Sequence, residues 1–129
     1  MKFETQVIHA GQPSEPTTGA VIPPIFMTST YAQTEPGITQ GYDYTRAGNP
    51  NFTILEQTLA AIEQGQHATV FSSGLGAITA LTSTLTSGDR VLASADLYGG
   101  TYRLFQKVFD KFGITFELVD TSNIGDLTV

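Results

Sequence analysis

The chain has 129 residues, about one ordinary domain's worth of sequence. Its 6 Lys and Arg against 12 Asp and Glu give a formal net charge of -6, which argues against nucleic acid or an anionic membrane surface as a partner. The absence of cysteine excludes disulfides, thiolate zinc sites and a Cys nucleophile, and 2 histidines leave little for a His-rich metal site.

With 40% of residues hydrophobic and 14% charged, a buried core is within reach. No apolar run approaches the ~20 residues of a membrane span. Residues 1–15 lack the basic-then-apolar order of a secretory signal, so the expected compartment is the cytoplasm.

Residues 1–49 hold five of the 6 prolines, several glycines and no sustained apolar period, which predicts an extended, irregular N-terminal arm. From Pro50 onward the pattern is regular. Phe52, Leu55, Leu59 and Ile62 share one face at helical spacing and predict a helix over 50–64. Asn49 suits its cap, Pro50 its first turn and Gly65 a left-handed exit.

The short apolar run 68–71 reads as a buried strand. Ser72-Ser73-Gly74 then opens a second helical stripe, Leu75, Ile78, Leu81 and Leu85, ended by Gly88 and Asp89. Val91, Leu92 and Ala93 read as a second strand. Tyr102, Phe105, Phe109 and Phe112 form a third helical stripe, with Lys107 and Lys111 on its solvated side and Gly113 closing it. Residues 114–119 read as a third strand. Strands alternating with helices predict an α/β fold with a parallel sheet. Three such strands would leave edges and faces uncovered, so residues 50–129 read as the first part of a larger domain.

Three constellations could carry chemistry. At Ser73-Gly74-Leu75-Gly76 the chain turns from strand to helix. The unpaired N–H groups of a helix start favour an anion, and glycines let it approach the backbone. The same residues also make a tight, capped turn with no ligand. Tyr98, in Asp96-Leu97-Tyr98-Gly99-Gly100-Thr101, follows the second strand and lies on the sheet edge where ligands of parallel sheets sit. It could stack on a flat phosphorylated cofactor or pack on its own helix. In the arm, Tyr44 and Arg46 fall on one side of an extended segment, as a phosphate clamp requires. A surface Arg beside a packed Tyr would give the same pattern. His9 and His67 show no partner pattern and read as structural.

A dinucleotide site is the rival reading, making the chain an autonomous nucleotide-binding module. Gly74-Leu75-Gly76 opens a helix and Asp96 follows at about the required distance, but Thr79 stands where the fingerprint's third glycine belongs.

Taken together, these segments resemble the Cys/Met-metabolism family of pyridoxal 5'-phosphate (PLP) enzymes, the cystathionine γ-synthase and γ-lyase group. The resemblance runs from residues 5–11, through the proline-rich 21–25 and 29–31, to Tyr44-Thr45-Arg46 with Gly48-Asn49-Pro50, Ser72-Ser73-Gly74-Leu75 and Tyr98-Gly99-Gly100-Thr101. It implies the N-terminal part of an aspartate-aminotransferase-like (fold type I) large domain behind an arm. Ser73, Gly74 and Leu75 would then hold the PLP phosphate and Tyr98 would stack on the pyridine ring and assist proton transfer. Tyr44 and Arg46 would reach the phosphate of a neighbouring subunit. The oligomer implied is a tetramer of dimers with shared active sites.

Leu75 stands where the family often has Met, Asn51 where it often has Thr, and Gly100 where methionine γ-lyases have Cys. The resemblance implies elimination or replacement at the γ- or β-carbon of an amino acid such as cystathionine or an O-acylated homoserine. O-acetylhomoserine sulfhydrylase and methionine γ-lyase chemistry are the alternatives. The Schiff-base lysine, the aspartate that pairs with the pyridine nitrogen and the arginine that holds the substrate carboxylate all belong after position 129 in this family. Lys2, Lys107 and Lys111 have no matching context, so these 129 residues alone are expected to be inactive.

Overall fold

The computed structural model describes residues 2–123 and Gly125. The chain forms two compact units, one ending at Val70 and the other starting at Phe71.

The first unit is built on two helices, α1 (Phe3–His9) and α2 (Pro50–Ile62), which pack on each other. The arm is therefore not irregular throughout. Its first residues are helical because α2 offers them a surface at close range. At Gly11, just past α1, an added Cβ would lie 2.4 Å from the Thr58 backbone nitrogen. The Thr58 hydroxyl donates to the Ala10 carbonyl at 2.9 Å, tying the arm to the helix.

α2 starts as expected, with Pro50 in the first turn and the Asn49 side chain accepting the Asn51 N–H at 2.9 Å. Its exit differs. The left-handed position falls on Gln64 at φ 56 rather than on Gly65, whose N–H bonds the Ala60 carbonyl at 2.8 Å. The arm folds back on itself by two antiparallel bridges, Glu35 to Ile38 at the tip and Thr30 to Tyr44, the latter flanked by Tyr31 N–H to the Asp43 carbonyl and Thr45 N–H to the Ser29 carbonyl. The Tyr31 and Tyr42 rings meet at 5.5 Å, and the Tyr42 hydroxyl donates to Thr53 on α2.

The strand expected over 68–71 does not form. Those residues join no ladder among the described residues, and the Val70 N–H bonds the Glu56 carboxylate instead. An apolar run becomes a strand only when a neighbouring strand supplies hydrogen bonds, and none does so here.

The second unit is a β–α–β arrangement preceded by a helix: α3 (Gly74–Thr82), β1 (Arg90–Ser94), α4 (Gly99–Lys107), a 3₁₀ turn (Phe109–Phe112) and β2 (Thr115–Val119). β1 and β2 are parallel, in register from Arg90 opposite Thr115 to Ser94 opposite Val119. α3 stops before Leu85 because its last turns are rich in hydroxyls that bond back to the helix carbonyls. Thr79, Thr82 and Ser83 each donate four residues back.

The predicted third helix splits at Val108, whose ψ of -67 with φ -115 ends the α geometry, and Gly113 closes the 3₁₀ turn at φ 75. Phe105, Phe109 and Ile114 form the apolar core of this unit. Phe105 stacks on Phe116 of β2 at 3.9 Å, fixing α4 across the sheet. Each buried Phe contributes about 2–3 kcal/mol. Tyr102 and Phe112, expected on the same stripe, remain substantially exposed.

Candidate phosphate-binding site

Ser73 caps α3 with extended backbone (φ -158, ψ 153), and its Oγ accepts the Gly76 N–H at 3.0 Å. That single bond satisfies the third amide of the helix and leaves the hydroxyl proton of Ser73 free to donate. The first two amides, of Gly74 and Leu75, have no acceptor among the described residues, as the geometry of any helix start dictates. Ser73, Gly74 and Leu75 are all exposed, and a Cβ built at Gly74 would meet no atom within 4 Å. Two free N–H groups, a hydroxyl and the positive end of α3 thus converge on open space. This donor set suits a phosphate.

Tyr98 precedes α4 at the carboxyl end of β1, four residues beyond Ser94 in the chain. Its carbonyl accepts the Thr101 N–H at 2.8 Å. Its side chain caps nothing and is 72% exposed. The ring lies against Gly100, where an added Cβ would come within 2.3 Å of Cε1. The phenol therefore packs along its own helix start with one face free. Both readings of Tyr98 are compatible with that pose, since packing on Gly100 leaves a face for a flat ligand. Ser73 and Tyr98 open α3 and α4, two helices that touch within this unit.

Tyr44 and Arg46 come together in the first unit, though not as an extended pair. The N–H groups of Ala47 and Gly48 both bond the Tyr44 carbonyl, at 2.9 and 3.0 Å, so the chain turns at Arg46. The turn lays the guanidinium over the Tyr44 ring, 5.0 Å from its centroid. The contact is a cation–π pair, and no side-chain hydrogen bond or ion pair engages the guanidinium among the described residues. Sequence reasoning missed the groups that hold this turn, namely Thr45, Asn49 and Asn51. Asn49 had a local signal as a cap, whereas the contacts of Asn51 with Phe26 span 25 residues and leave none.

No group of three or more His, Asp or Glu side chains suited to a metal ion occurs among the described residues. None of their helices is long and apolar enough to cross a membrane. A cavity of about 520 Å³ opens beside the C-terminal half of α3, between Thr82 and Phe112. Its lining is apolar with a few hydroxyls and has no titratable group.

A parallel β–α–β unit with an open helix start at Ser73–Leu75 and an exposed aromatic ring at the next helix start is the architecture of an α/β protein. The chain belongs to the Cys/Met metabolism PLP-dependent enzyme family, whose model matches residues 4–129. It is 52% identical over 121 residues to a probable cystathionine γ-synthase of Herpetosiphon aurantiacus, covering 94% of this chain and 38% of that protein. It is 47% identical to a cystathionine β-lyase of Lactococcus lactis subsp. cremoris, covering 97% of this chain and 33% of the relative.

Among solved structures, the cystathionine γ-lyase of Lactobacillus plantarum complexed with L-serine matches with a TM-score of 0.89 and 43% identity, over 98% of this chain and 33% of that one. The chain thus spans about a third of the length of the relatives it matches. The likeness bears out the fold type I reading, and with it the α/β class, despite the missing strand at 68–71.

Proposed function

We propose that this chain supplies the phosphate-binding part of a PLP enzyme that makes or breaks carbon–sulfur bonds in sulfur amino acids such as cystathionine. The observation that carries the proposal is the open first turn of α3. There the Gly74 and Leu75 amides and the Ser73 hydroxyl face solvent together, in a family that uses a phosphorylated cofactor. When bound, the pyridine ring serves as an electron sink for the substrate's α-carbon.

The chain's own residues bind and orient. Ser73, Gly74 and Leu75 hold the phosphate. Tyr98 lays its free face on the ring and carries a phenolic proton at the Oη atom. Tyr44 and Arg46 close on the phosphate of a neighbouring subunit, in a tetramer built from dimers. The substrate is a small amino acid, cystathionine or an O-acylated homoserine. Relatives named as γ-synthase and β-lyase support that class. Gly100, in place of a cysteine, weighs against methionine γ-lyase chemistry.

The test is an NMR titration of the chain with pyridoxine 5'-phosphate against pyridoxine. The phosphate form should shift the Gly74 and Leu75 amide signals and the Tyr98 ring signals, and pyridoxine should leave the two amides in place. Equal responses to both compounds would remove the phosphate assignment. A response to NAD with none to pyridoxine 5'-phosphate would favour the nucleotide-binding module.

A further inference from the structure

The Tyr44–Arg46 pair is exposed, and Arg46 has a long, flexible side chain, yet the pair sits on a backbone pinned at several points. Thr45, between the two, holds it down. Its hydroxyl donates to the Thr28 carbonyl and accepts from Asn49 Nδ2 at 3.1 Å, while its N–H bonds the Ser29 carbonyl at 2.9 Å. Asn49 is only 2% exposed and its amide is fully used. Oδ1 takes the Asn51 N–H, and Nδ2 also reaches the Phe26 carbonyl at 3.4 Å.

Asn51 completes the ring. Its Oδ1 accepts the Phe26 N–H and its Nδ2 donates to the Phe26 carbonyl, both at 3.0 Å, copying a strand partner with one side chain. The path runs from the start of α2 to Phe26, along the arm to Thr28, across to Thr45 and back to Asn49. A rigid helix start thereby fixes the turn that carries the guanidinium.

We infer that Thr45, Asn49 and Asn51 are positioning residues that lock the Tyr44–Arg46 pair to α2 for binding a phosphate dianion. The inference rests on the proposed reading of that pair as a phosphate clamp. A buried carboxamide with every donor and acceptor used is a geometric constraint, since any shift of the turn leaves a polar group unpaired. Asn51 places its acceptor and its donor on two separate atoms and so pairs with the Phe26 N–H and carbonyl at once, whereas a threonine hydroxyl has a single oxygen for both.

Thr45→Val keeps the shape and removes the hydroxyl, and Thr45→Ser restores it. The readouts on the chain are the ring-current shift of the Arg46 δ-protons over Tyr44, the response of the Arg46 Nε–H signal to pyridoxine 5'-phosphate, and far-UV circular dichroism. Thr45→Val should lose most of the ring-current shift and need roughly tenfold more ligand for the same Arg46 response. Helix content should be unchanged, and Thr45→Ser should behave like the unaltered chain. Asn51→Ala should repeat the Thr45→Val result.

An Arg46 response that survives Thr45→Val unchanged overturns the positioning role. So does a Thr45→Ser chain as impaired as Thr45→Val, which would make shape rather than the hydroxyl responsible. Absence of any Arg46 response in the unaltered chain overturns the clamp reading instead, and the ring-current comparison still reports on the lock.

Discussion

Replacing Gly74 by proline separates folding from binding at the proposed phosphate cradle. Gly74 is the first residue of α3, where the N–H has no helical acceptor and a fixed φ near -65° is what the helix needs. Ser73 before it is already extended at φ -158 and ψ 153, the region that a residue preceding proline prefers. Nothing lies within 4 Å of the Cβ position, so the side chain has room. The fold should be unharmed, or gain about 0.4–1 kcal/mol from a stiffer unfolded chain.

The phosphate, by contrast, loses one of its two backbone donors. A hydrogen bond to a charged group is worth about 1.5–3 kcal/mol, which corresponds to roughly 10- to 150-fold in affinity. Solvent around this exposed turn favours the lower part of that range. Thermal melts followed at 222 nm give the first quantity, and calorimetric titration with pyridoxine 5'-phosphate gives the second. A Gly74→Pro chain that melts normally and binds like the unaltered one would refute the reasoning, because the amide would then not be a donor to the ligand.

Arg46→Ala should weaken pyridoxine 5'-phosphate binding by ~1.5–3 kcal/mol where the clamp and cradle share one phosphate, and Arg46→Lys should recover only part of it, since an ammonium lacks the paired donors. Gly11→Ala should destabilise the first unit by about 2–4 kcal/mol in urea unfolding. The methyl would press on the Thr58 backbone at 2.4 Å and φ is 70 there, so a loss under ~1 kcal/mol would mean that α1 does not dock as described.

The Glu15 carboxylate accepts the Thr17 and Thr18 N–H groups and the Thr18 hydroxyl, which hold its pKa down from 4.5 to about 2. The turn should be intact above pH 4.5 and loosen as the pH falls toward 2. A Glu15 carboxyl signal that titrates near 4.5 by NMR would show that these bonds do not persist. The 129 residues alone should give no site-specific adduct when treated with PLP and borohydride, and no turnover of cystathionine. A single modified lysine with turnover would reverse that.

What could be read in the sequence follows the range of the interaction. The Ser73 cap, the glycines after it and the α2 start at Asn49-Pro50 act over three or four residues, so residue types at fixed offsets announce them. The parallel pair β1–β2 was legible because a helical stripe separates two short apolar runs. The strand at 68–71 was equally plausible by pattern and failed because pairing is a property of neighbours, not of the run itself. α1 was missed for the complementary reason. Its seven residues bury no side chain, so little in their pattern announces a helix, and the close approach of Gly11 to the Thr58 backbone has no local signal. Tyr44 and Arg46 were paired on the premise of period two, where the structure brings them together by a turn.

The same distinction sets the relative strength of the proposed site's two parts. The cradle rests on one helix start, whose cap is worth about 1 kcal/mol and whose amides cannot point elsewhere while α3 exists. The clamp rests on a ring of side-chain bonds, several of them between residues 17 to 25 apart in the chain, each contributing about 0.5–1.5 kcal/mol net and all dependent on one another. On the proposed reading, in which the clamp of one subunit meets the cradle of its neighbour, the cofactor phosphate would have a robust local anchor and a cooperative, more fragile one. The fragile anchor contributes the full positive charge, because the cradle supplies only dipoles and a hydroxyl. Retention of a dianion should accordingly depend on the arm, and the residues that decide it are Thr45, Asn49 and Asn51 as much as Arg46 itself.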